Sequence, residues 1–272
     1  MKTLYIATGC LLMSALMLFA FDKAGDTSIR AAVADQGLAG REAVVLLHGM
    51  ARSSRSMNRM AKALVAAGYA VYSMSYPSTK KTVQQIAAED LVPLLEKCQT
   101  TKPKKIHFVA HSLGNIVLRQ YFATHTMANA GRIVMLGPPN HGSEVVDKIG
   151  DLTLFDWING PAGHQLGTGS NSLPNQLPAP PVEVGVIAGT RSINWILSGM
   201  IPGPDDGKVA VARTKLKGMK DFAVVATAHP FLMQNRKVIR MTLSFLRYGY
   251  FEAGTSDKAA AIGAEAMPQT QR

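Results

Sequence analysis

Short, continuous apolar runs alternate along this sequence with segments of helical period, and this alternation constrains the fold more than any other feature. Each run has the length of a strand and lacks a polar face, as expected of parallel strands buried on both sides. The predicted strands are Ala43–Leu47, Ala70–Tyr76, Lys105–Ala110, Arg132–Gly137, Val184–Ala188 and Phe222–Val225. The predicted helices lie around Met57–Leu64 and over Val83–Cys98, Asn115–Thr124 and Asn235–Tyr248. The sequence therefore predicts an α/β fold, a mostly parallel sheet of about six strands with helices on both faces.

The N-terminal end carries an apolar run that is typical of export. Lys2 precedes the run Leu4–Phe21, so residues 1–21 fit either a signal peptide or a membrane anchor. Cleavage is the favoured interpretation. Both alternatives predict an extracytoplasmic domain, whether periplasmic, secreted or anchored by this segment. Residues 22–41 are polar and alanine-rich, and we interpret them as a tether.

One domain is expected after the tether, because 272 residues suffice for one sizeable core and only marginally for two. We place this domain at residues 42–250. Within it, residues 138–181 are rich in Gly, Pro, Asn and Ser but contain an apolar cluster, which is typical of a lid or binding loop. Residues 251–272 are polar and of low complexity, and they predict a disordered tail.

The sequence is strongly basic, with 29 Lys and Arg against 18 Asp and Glu and a net charge of +11. The basic residues, Arg52 among them, are scattered and not grouped with aromatic residues, so no nucleic-acid partner is expected. We expect a solvated basic surface, which would also attract anionic lipid. The two cysteines, Cys10 and Cys98, do not indicate a disulfide framework.

The strongest chemical signal is Val109–Gly114, which reads V-A-H-S-L-G at a predicted strand-to-helix junction. A nucleophilic serine on such a turn needs small residues two positions before and after it, because the backbone turns tightly there. Ala110 and Gly114 meet this need around Ser112. The following helix would also direct its positive dipole end at the serine. The pattern predicts Ser112 as a nucleophile.

The second signal is the predicted strand that ends in His48-Gly49-Met50. In this position the loop supplies an oxyanion hole, made by the backbone N–H groups of Met50 and of Leu113, the residue after the serine. His48 itself is predicted to be structural, with its ring bonded to nearby backbone.

These segments resemble the lipase and esterase branch of the α/β-hydrolase family, and are most similar to small bacterial lipases with the A-H-S-x-G form of the turn. The resemblance covers roughly residues 42–250. Gly137–Ser143, which reads G-P-P-N-H-G-S, also looks like the turn that commonly opens the lid region in that family. The resemblance implies an α/β-hydrolase fold with a lid-like insertion.

The family's chain order implies an acid after the strand ending near Ala188 and a histidine after the last strand. Pro204–Val209, which reads P-D-D-G-K-V, is similar to the D-G-x-V acid loop of lipases. By that match Asp206 is the acid, and its neighbour Asp205 is the alternate. His229 follows the last strand, where a loop would bring it over the serine. The implied catalytic triad is Ser112, Asp206 and His229.

Apolar residues of the insertion bear on the substrate. Leu154, Phe155, Trp157 and Ile158 are candidates for an acyl pocket or a lipid contact, with a small satellite core as the alternative. Met200-Ile201-Pro202 is a further candidate wall. The expected partner is a small-molecule or lipid ester. We expect no metal or organic cofactor, because the sequence has no credible zinc ligand set and no phosphate-binding glycine loop.

Three functions remain compatible with these signals. The favoured one is a serine hydrolase that cleaves carboxylic esters through an acyl-enzyme intermediate. The same triad also serves thioesterases, amidases and acyltransferases. A non-catalytic binding protein tethered to the envelope is the third, and the presence of serine, acid and histidine together disfavours it.

Overall fold

The computed structural model describes residues 30–31, 40–150 and 153–252, with only the backbone described for 30–31 and 153–158. The predicted export segment, most of the tether and all but two residues of the predicted tail lie outside these ranges, so those predictions stay untested. Within the described ranges, no helix is both long enough and apolar enough to cross a membrane.

A central sheet of seven strands organises the molecule, with the order β1-β3-β2-β4-β5-β6-β7. The strands are β1 (Arg30–Ala31), β2 (Ala43–Leu47), β3 (Ala70–Ser73), β4 (Ile106–His111), β5 (Ala130–Leu136), β6 (Val184–Gly189) and β7 (Asp221–Val225). The two-residue β1 pairs antiparallel with β3, and every other pair is parallel. The predicted parallel sheet of about six strands is confirmed as β2 to β7.

The continuous apolar runs have a direct structural reason, because both faces of the central strands are buried. All five residues of β2 are buried. Val45 packs into the core on one face, while Val44 and Leu46 pack into the core on the other. Successive side chains of a strand point to opposite faces, so a strand covered on both sides needs an apolar residue at every position.

Helices cover both faces of the sheet. The helices are α1 (Asn58–Ala66), α2 (Val83–Ile86, π-helical Ala87–Leu91 and Val92–Gln99), α3 (Leu113–Thr124), α4 (Glu144–Ile149), α5 (Thr153–His164), α6 (Leu173–Gln176), α7 (Trp195–Ser198), α8 (Val211–Thr214) and α9 (Arg236–Tyr248). Helices α2 and α3 contribute to one core, and α1 and α9 contribute to the other. The sequence signals for helix ends hold at α9, which begins with an Asn235 cap and ends at Gly249 with φ +82°.

The segment 138–181 lies between β5 and β6 and contains α4, α5 and α6. Its ends are tied to α3 by Arg119, whose buried guanidinium donates to the carbonyl oxygens of Asn140 at 3.0 Å, Pro178 at 3.2 Å and Leu177. The segment thus stays next to the carboxyl ends of the strands, where parallel sheets bind ligands. Its role as a lid stays a prediction.

Candidate active site

Ser112 occupies the sharp turn between β4 and α3, with φ +52° and ψ −122°. A non-glycine residue in such a conformation costs about 1–3 kcal/mol and persists only where its surroundings enforce it. The Ser112 N–H donates to Leu136 O on β5 at 3.0 Å, and its carbonyl accepts from the Asn115 N–H and Nδ2, each at 3.0 Å. These bonds hold the serine at the top of the sheet.

Two glycines allow the loop after β2 to approach this turn. A Cβ on Gly114 would lie 2.7 Å from His48 O and 2.9 Å from Leu47 Cβ. A Cβ on Gly49 would lie 3.0 Å from Ser112 Cβ and 2.8 Å from a ring nitrogen of His111. The requirement for a small residue at position 114 therefore comes from the backbone of the neighbouring strand.

Ser112, His229 and Asp206 form a continuous hydrogen-bonded chain. The Ser112 hydroxyl lies 2.9 Å from His229 Nε2, and His229 Nδ1 lies 2.7 Å from Asp206 Oδ2. All three are buried, with exposed fractions of 9%, 3% and 1% for Ser112, His229 and Asp206. The structure thus brings together three predicted residues that follow three different strands, β4, β7 and β6.

The two adjacent aspartates have different partners. Asp206 presents Oδ2 to His229, and its Oδ1 accepts from the backbone N–H groups of Lys208 at 3.1 Å and Val209 at 2.9 Å. Asp205 turns away and accepts from the Ser198 hydroxyl and from the Gly207 N–H, each at 2.6 Å. Of the two alternatives left by the sequence, only Asp206 is bonded to the histidine.

This arrangement sets the tautomer of His229. A carboxylate only accepts, so the Nδ1 proton points at Asp206 and the Nε2 lone pair faces the Ser112 hydroxyl. His229 is also fixed through its backbone, since its N–H donates to Asp206 O at 2.9 Å and its carbonyl accepts from His111 Nε2 at 3.0 Å. Burial, and then the nearby His229, hold the pKa of His111 well below its ordinary value. His111 is therefore a neutral donor that positions His229.

The residues of both predicted oxyanion donors lie close to Ser112. Leu113 is the first residue of α3, where a backbone N–H has no intrahelical acceptor. Met50 lines two cavities together with Ser112. His48, two residues before Met50, is held by its ring. The ring stacks on Tyr76 at 3.8 Å between ring centroids. Its Nδ1 donates to Gly49 O at 2.8 Å, and its Nε2 accepts from the Tyr76 N–H at 3.1 Å. The predicted structural bonding of His48 is confirmed, while the oxyanion role of Met50 and Leu113 stays a prediction.

An apolar cleft of about 760 Å³, which includes space open to solvent, opens at Ser112. Its apolar wall is formed mainly by Val145, Val146, Ile149, Leu166, Leu197 and Val209. The contribution of α4 was not predicted from the sequence, although Val145 and Ile149 lie four residues apart between Ser143 and Gly150, as in a short amphipathic helix. We call this the acyl cleft.

The substrate residues predicted from the sequence relate to this cleft in different ways. Leu154, Phe155, Trp157 and Ile158 lie on α5, but their side chains are outside the described part of the structure. Later residues of α5, such as Asn159, do line the acyl cleft. From the segment Met200–Pro202, Ile201 packs into a small apolar cluster with cleft residues of α4 and α7.

A second, smaller cavity, of about 260 Å³ including space open to solvent, also borders Ser112. It is lined by Met50, Arg52, His111, Ser112, Lys208, His229 and Pro230. Burial, followed by the charge of Arg52, lowers the pKa of Lys208 to about 8, and Asp206 opposes that shift. Arg52, one of the basic residues expected on the solvated surface, is partly exposed and also lines this cavity from the loop after β2. Neither cation was identified from the sequence, since their approach depends on two loops far apart in the chain.

Other reactive groups in the described residues do not form a competing site. Cys98 lies on the core-facing side of α2 and is fully buried, and burial raises the pKa of its thiol to about 12. A nucleophilic cysteine needs the opposite shift. Among the described residues, no group of three or more His, Cys, Asp and Glu side chains is arranged to hold a metal ion.

Comparison with known proteins gives one family and several similar folds. The model of the "Alpha/beta hydrolase family" matches residues 44–260. No curated protein matches the sequence. Among solved structures, lipase BlEst2 from Bacillus licheniformis in its mature form is 21% identical, with a TM-score of 0.66 over 83% of this chain and 98% of that chain.

Two further structures are similar at lower identity. Phospholipase PlaB from Legionella pneumophila is 16% identical, with a TM-score of 0.56 over 84% of this chain and 63% of that chain. The metagenomic carboxyl esterase MGS0156 is also 16% identical, with a TM-score of 0.56 over 77% of this chain and 70% of that chain. At such identities the likeness concerns the fold.

Proposed function

Because the chain belongs to the alpha/beta hydrolase family, we propose that it is a serine hydrolase that cleaves carboxylic esters through an acyl-enzyme intermediate. The observation that carries the proposal is the hydrogen-bonded chain from Ser112 through His229 to Asp206, with distances of 2.9 and 2.7 Å. In this proposal Ser112 is the nucleophile, His229 the general base and Asp206 the acid that orients it.

The chemistry follows from the tautomer that Asp206 imposes. His229 Nε2 takes the hydroxyl proton while Ser112 Oγ bonds to the ester carbonyl carbon, and the carbonyl oxygen becomes an oxyanion. The bond from that carbon to the alcohol oxygen then breaks, and His229 gives its proton to the departing alcohol. A water molecule repeats the sequence on the acyl-enzyme, which releases the carboxylic acid and restores Ser112.

The backbone N–H groups of Met50 and Leu113 are the proposed donors to the oxyanion. Loss of one such donor typically lowers turnover about 100- to 1000-fold. The support for Leu113 is its place in the first turn of α3, where the helix dipole also favours negative charge. The support for Met50 is that it lines both cavities at Ser112.

The acyl cleft is the proposed site of the acyl chain, because apolar side chains dominate its wall and Ser112 is one of its lining residues. We propose a small-molecule or lipid ester as substrate on this ground. We also propose that the domain works outside the cytoplasm, and the support for this is the apolar run Leu4–Phe21.

The test is hydrolysis of p-nitrophenyl esters from C2 to C16 by the full chain and by its Ser112→Ala and His229→Ala variants. Ser170→Ala is the matched control, because Ser170 is exposed and lies outside both cavities. We expect an active parent and control, and both site variants inactive but folded by circular dichroism. A parent that turns over matched thioesters or amides much faster than esters, or activity that survives Ser112→Ala, would overturn the ester proposal.

A further inference from the structure

The loop of residues 190–204, which leads from β6 toward the proposed acid Asp206, is apolar for an exposed connection. It contains no Asp or Glu, and Arg191 is its one charged residue. Two of its large apolar side chains face outward, since Ile193 is 53% exposed and Trp195 is 77% exposed. Large apolar side chains grouped on a surface are typical of a site that binds a partner. We call residues 190–204 the apolar loop.

The polar side chains of the apolar loop form hydrogen bonds inside the protein. Asn194 is 7% exposed, and its Oδ1 accepts from the Leu197 N–H at 3.1 Å at the start of α7. The Ser198 hydroxyl donates to the Asp205 carboxylate at 2.6 Å. These bonds keep polar groups inward while the two large apolar side chains face outward, an arrangement that contact with water alone does not favour.

The apolar loop also forms part of the wall of the acyl cleft. Trp195 begins α7 and faces outward, whereas Leu197 of the same helix is 4% exposed and lines the cleft. Further along the loop, Ile201 packs in one apolar cluster with Ile149 of α4, another cleft residue. A molecule held against the outer side of the loop therefore lies beside the acyl cleft.

The charges next to the apolar loop favour an anionic partner. Arg191 is exposed at the start of the loop, and the exposed Lys148 of α4 donates to the Met200 carbonyl oxygen at 2.8 Å. Of the carboxylates of α4, Glu144 is in an ion pair at 2.8 Å, and Asp147 accepts a hydroxyl hydrogen bond at 2.6 Å. Together with the net charge of +11, the two cations complement a negatively charged surface.

A second pair of exposed aromatic side chains, Tyr248 and Tyr250, has a different setting. It lies near the amino ends of the strands, since the Phe251 N–H donates at 2.6 Å to Asp221, the first residue of β7. Glu183, just before β6, adds a second carboxylate at this end. The active site lies at the carboxyl ends of the strands, so this pair is a matched comparison for the apolar loop.

We infer that the apolar loop docks on the surface of an anionic phospholipid bilayer, with Ile193 and Trp195 in the headgroup region. The two neighbouring cations then face the lipid phosphates. Tryptophan favours this region because its ring is apolar and its N–H still bonds to polar groups. Apolar burial and the attraction of Lys and Arg to anionic lipid both stabilise such docking. Resting on the proposed ester hydrolysis, the bilayer supplies the ester, whose acyl chain passes along the loop into the acyl cleft.

The first test locates Trp195 on vesicles of phosphatidylcholine with phosphatidylglycerol, with and without brominated acyl chains that quench tryptophan. The chain has two tryptophans, so Trp157→Phe in the full chain leaves Trp195 as the only reporter. The readout is the position of the loop and not binding as such, because the apolar run Leu4–Phe21 would itself hold the chain on a vesicle. We expect a blue shift of the Trp195 emission and quenching by the brominated lipid, both larger than on phosphatidylcholine alone.

The matched control moves the reporter to the other end of the sheet. With Trp157→Phe and Trp195→Phe, the change Tyr250→Trp places a single tryptophan at a position that is 53% exposed. Its emission should show neither shift nor quenching. Equal quenching at both positions, or none at either, would overturn the inference. So would a Trp195 emission that is blue-shifted without lipid and depends on protein concentration, because a second copy of the chain would then cover the loop.

The second test measures how the ester reaches the site. The quantity is the ratio of kcat/KM for p-nitrophenyl palmitate in phosphatidylglycerol vesicles to kcat/KM for soluble p-nitrophenyl acetate. Loss of one buried apolar side chain corresponds to about tenfold in this ratio, so we expect a loss of that size in Trp195→Ser and in Ile193→Ser. Arg191→Gln should lower the ratio about fivefold, and Tyr250→Ser should keep the parent ratio. The ratio is measured on active protein only, so it is insensitive to partial loss of folded enzyme.

The outcomes separate this inference from the proposed function. Quenching at Trp195 without hydrolysis of any ester would overturn the proposed function and leave the docking surface. Hydrolysis of soluble esters without quenching at Trp195 would overturn the docking surface and leave the esterase. If Trp157→Phe does not fold, the second test decides, and an unchanged ratio in both Trp195→Ser and Ile193→Ser overturns the inference. Quenching at Trp195 and not at position 250 supports it.

Discussion

Replacing Asp206 by Asn tests the geometry of the candidate site most directly. The change removes the acceptor that faces His229 and keeps the acceptor that faces the backbone of its own loop. The carbonyl oxygen of the new amide side chain would still accept from the N–H groups of Lys208 and Val209, now at 3.1 and 2.9 Å, so the loop should keep its structure. The amide nitrogen would face His229 Nδ1 at the present 2.7 Å contact. Two donors would then oppose each other.

His229 relieves that conflict by moving its proton to Nε2, and this tautomer directs an N–H at Ser112 where a lone pair is needed. In the proposed mechanism Ser112 then lacks its base, although the heavy atoms of the site keep their positions. A wrong tautomer of this kind lowers kcat by about 10⁴-fold, equivalent to about 5.4 kcal/mol of transition-state stabilisation. We therefore expect Asp206→Asn to reduce p-nitrophenyl ester hydrolysis by about 10⁴-fold with little change in Tm.

Asp205→Asn is the matched control, since it makes the same change one residue away. Asp205 is bonded to Ser198 and Gly207 and not to the histidine. We expect a loss of about 1–3 kcal/mol in the free energy of unfolding and a kcat within about tenfold of the parent. An Asp206→Asn variant that keeps more than a tenth of the parent kcat, or equal losses of kcat in both variants, would refute the role proposed for Asp206.

Three further outcomes follow from other contacts. Gly137→Ala should lower kcat at least tenfold and also lower Tm. The φ of Gly137 is +53°, and the new Cβ would lie 2.7 Å from Leu232 and close to the Asp206–His229 pair. Ester assays measure the first effect and calorimetry the second. Arg119→Met should cost about 2–4 kcal/mol in urea unfolding, because it leaves buried carbonyls such as that of Asn140 without their donor. Ile149→Phe should shift the preferred p-nitrophenyl ester to a shorter chain, since Ile149 lines the acyl cleft; an unchanged chain-length profile would exclude that placement.

The sheet could be predicted from the sequence because strands buried on both faces have continuous apolar runs. The run Ala43–Leu47 is apolar at every position, and the predicted bounds of β2 match the structure. The predicted strand ends were less accurate where the apolar run continues beyond the last residue that is hydrogen-bonded to a neighbouring strand. The run Ala70–Tyr76 remains buried at Met74 and Tyr76, but the strand ends at Ser73 because the chain turns away to contact the loop after β2.

The residues of the candidate site could be predicted where the order of strands along the chain limits their position. Ser112 stands on a turn with a local sequence signature, and His229 follows the last strand of a parallel sheet, so both positions follow from order along the chain. Asp205 and Asp206 could not be separated, because one backbone step decides which carboxylate faces the histidine. The position of Arg52 and Lys208 beside the site was not predicted for a related reason. The local sequence around a charged loop residue does not show whether the loop packs over the site or extends into solvent.

Two hydrogen bonds of the His229 backbone connect the residues after the edge strand β7 to the central part of the sheet. Strand β7 is one edge of the sheet, and Val224 within it is 45% exposed, so β7 should open more readily than the central strands. The His229 N–H is held by the loop after β6 and its carbonyl by His111 at the end of β4, so the proposed base cannot follow a fraying edge. Its amide should exchange hydrogen at the rate of the central strands and not of the rim. Catalytic competence and global unfolding would then share one cooperative transition, and heat should inactivate the protein no earlier than it melts the sheet.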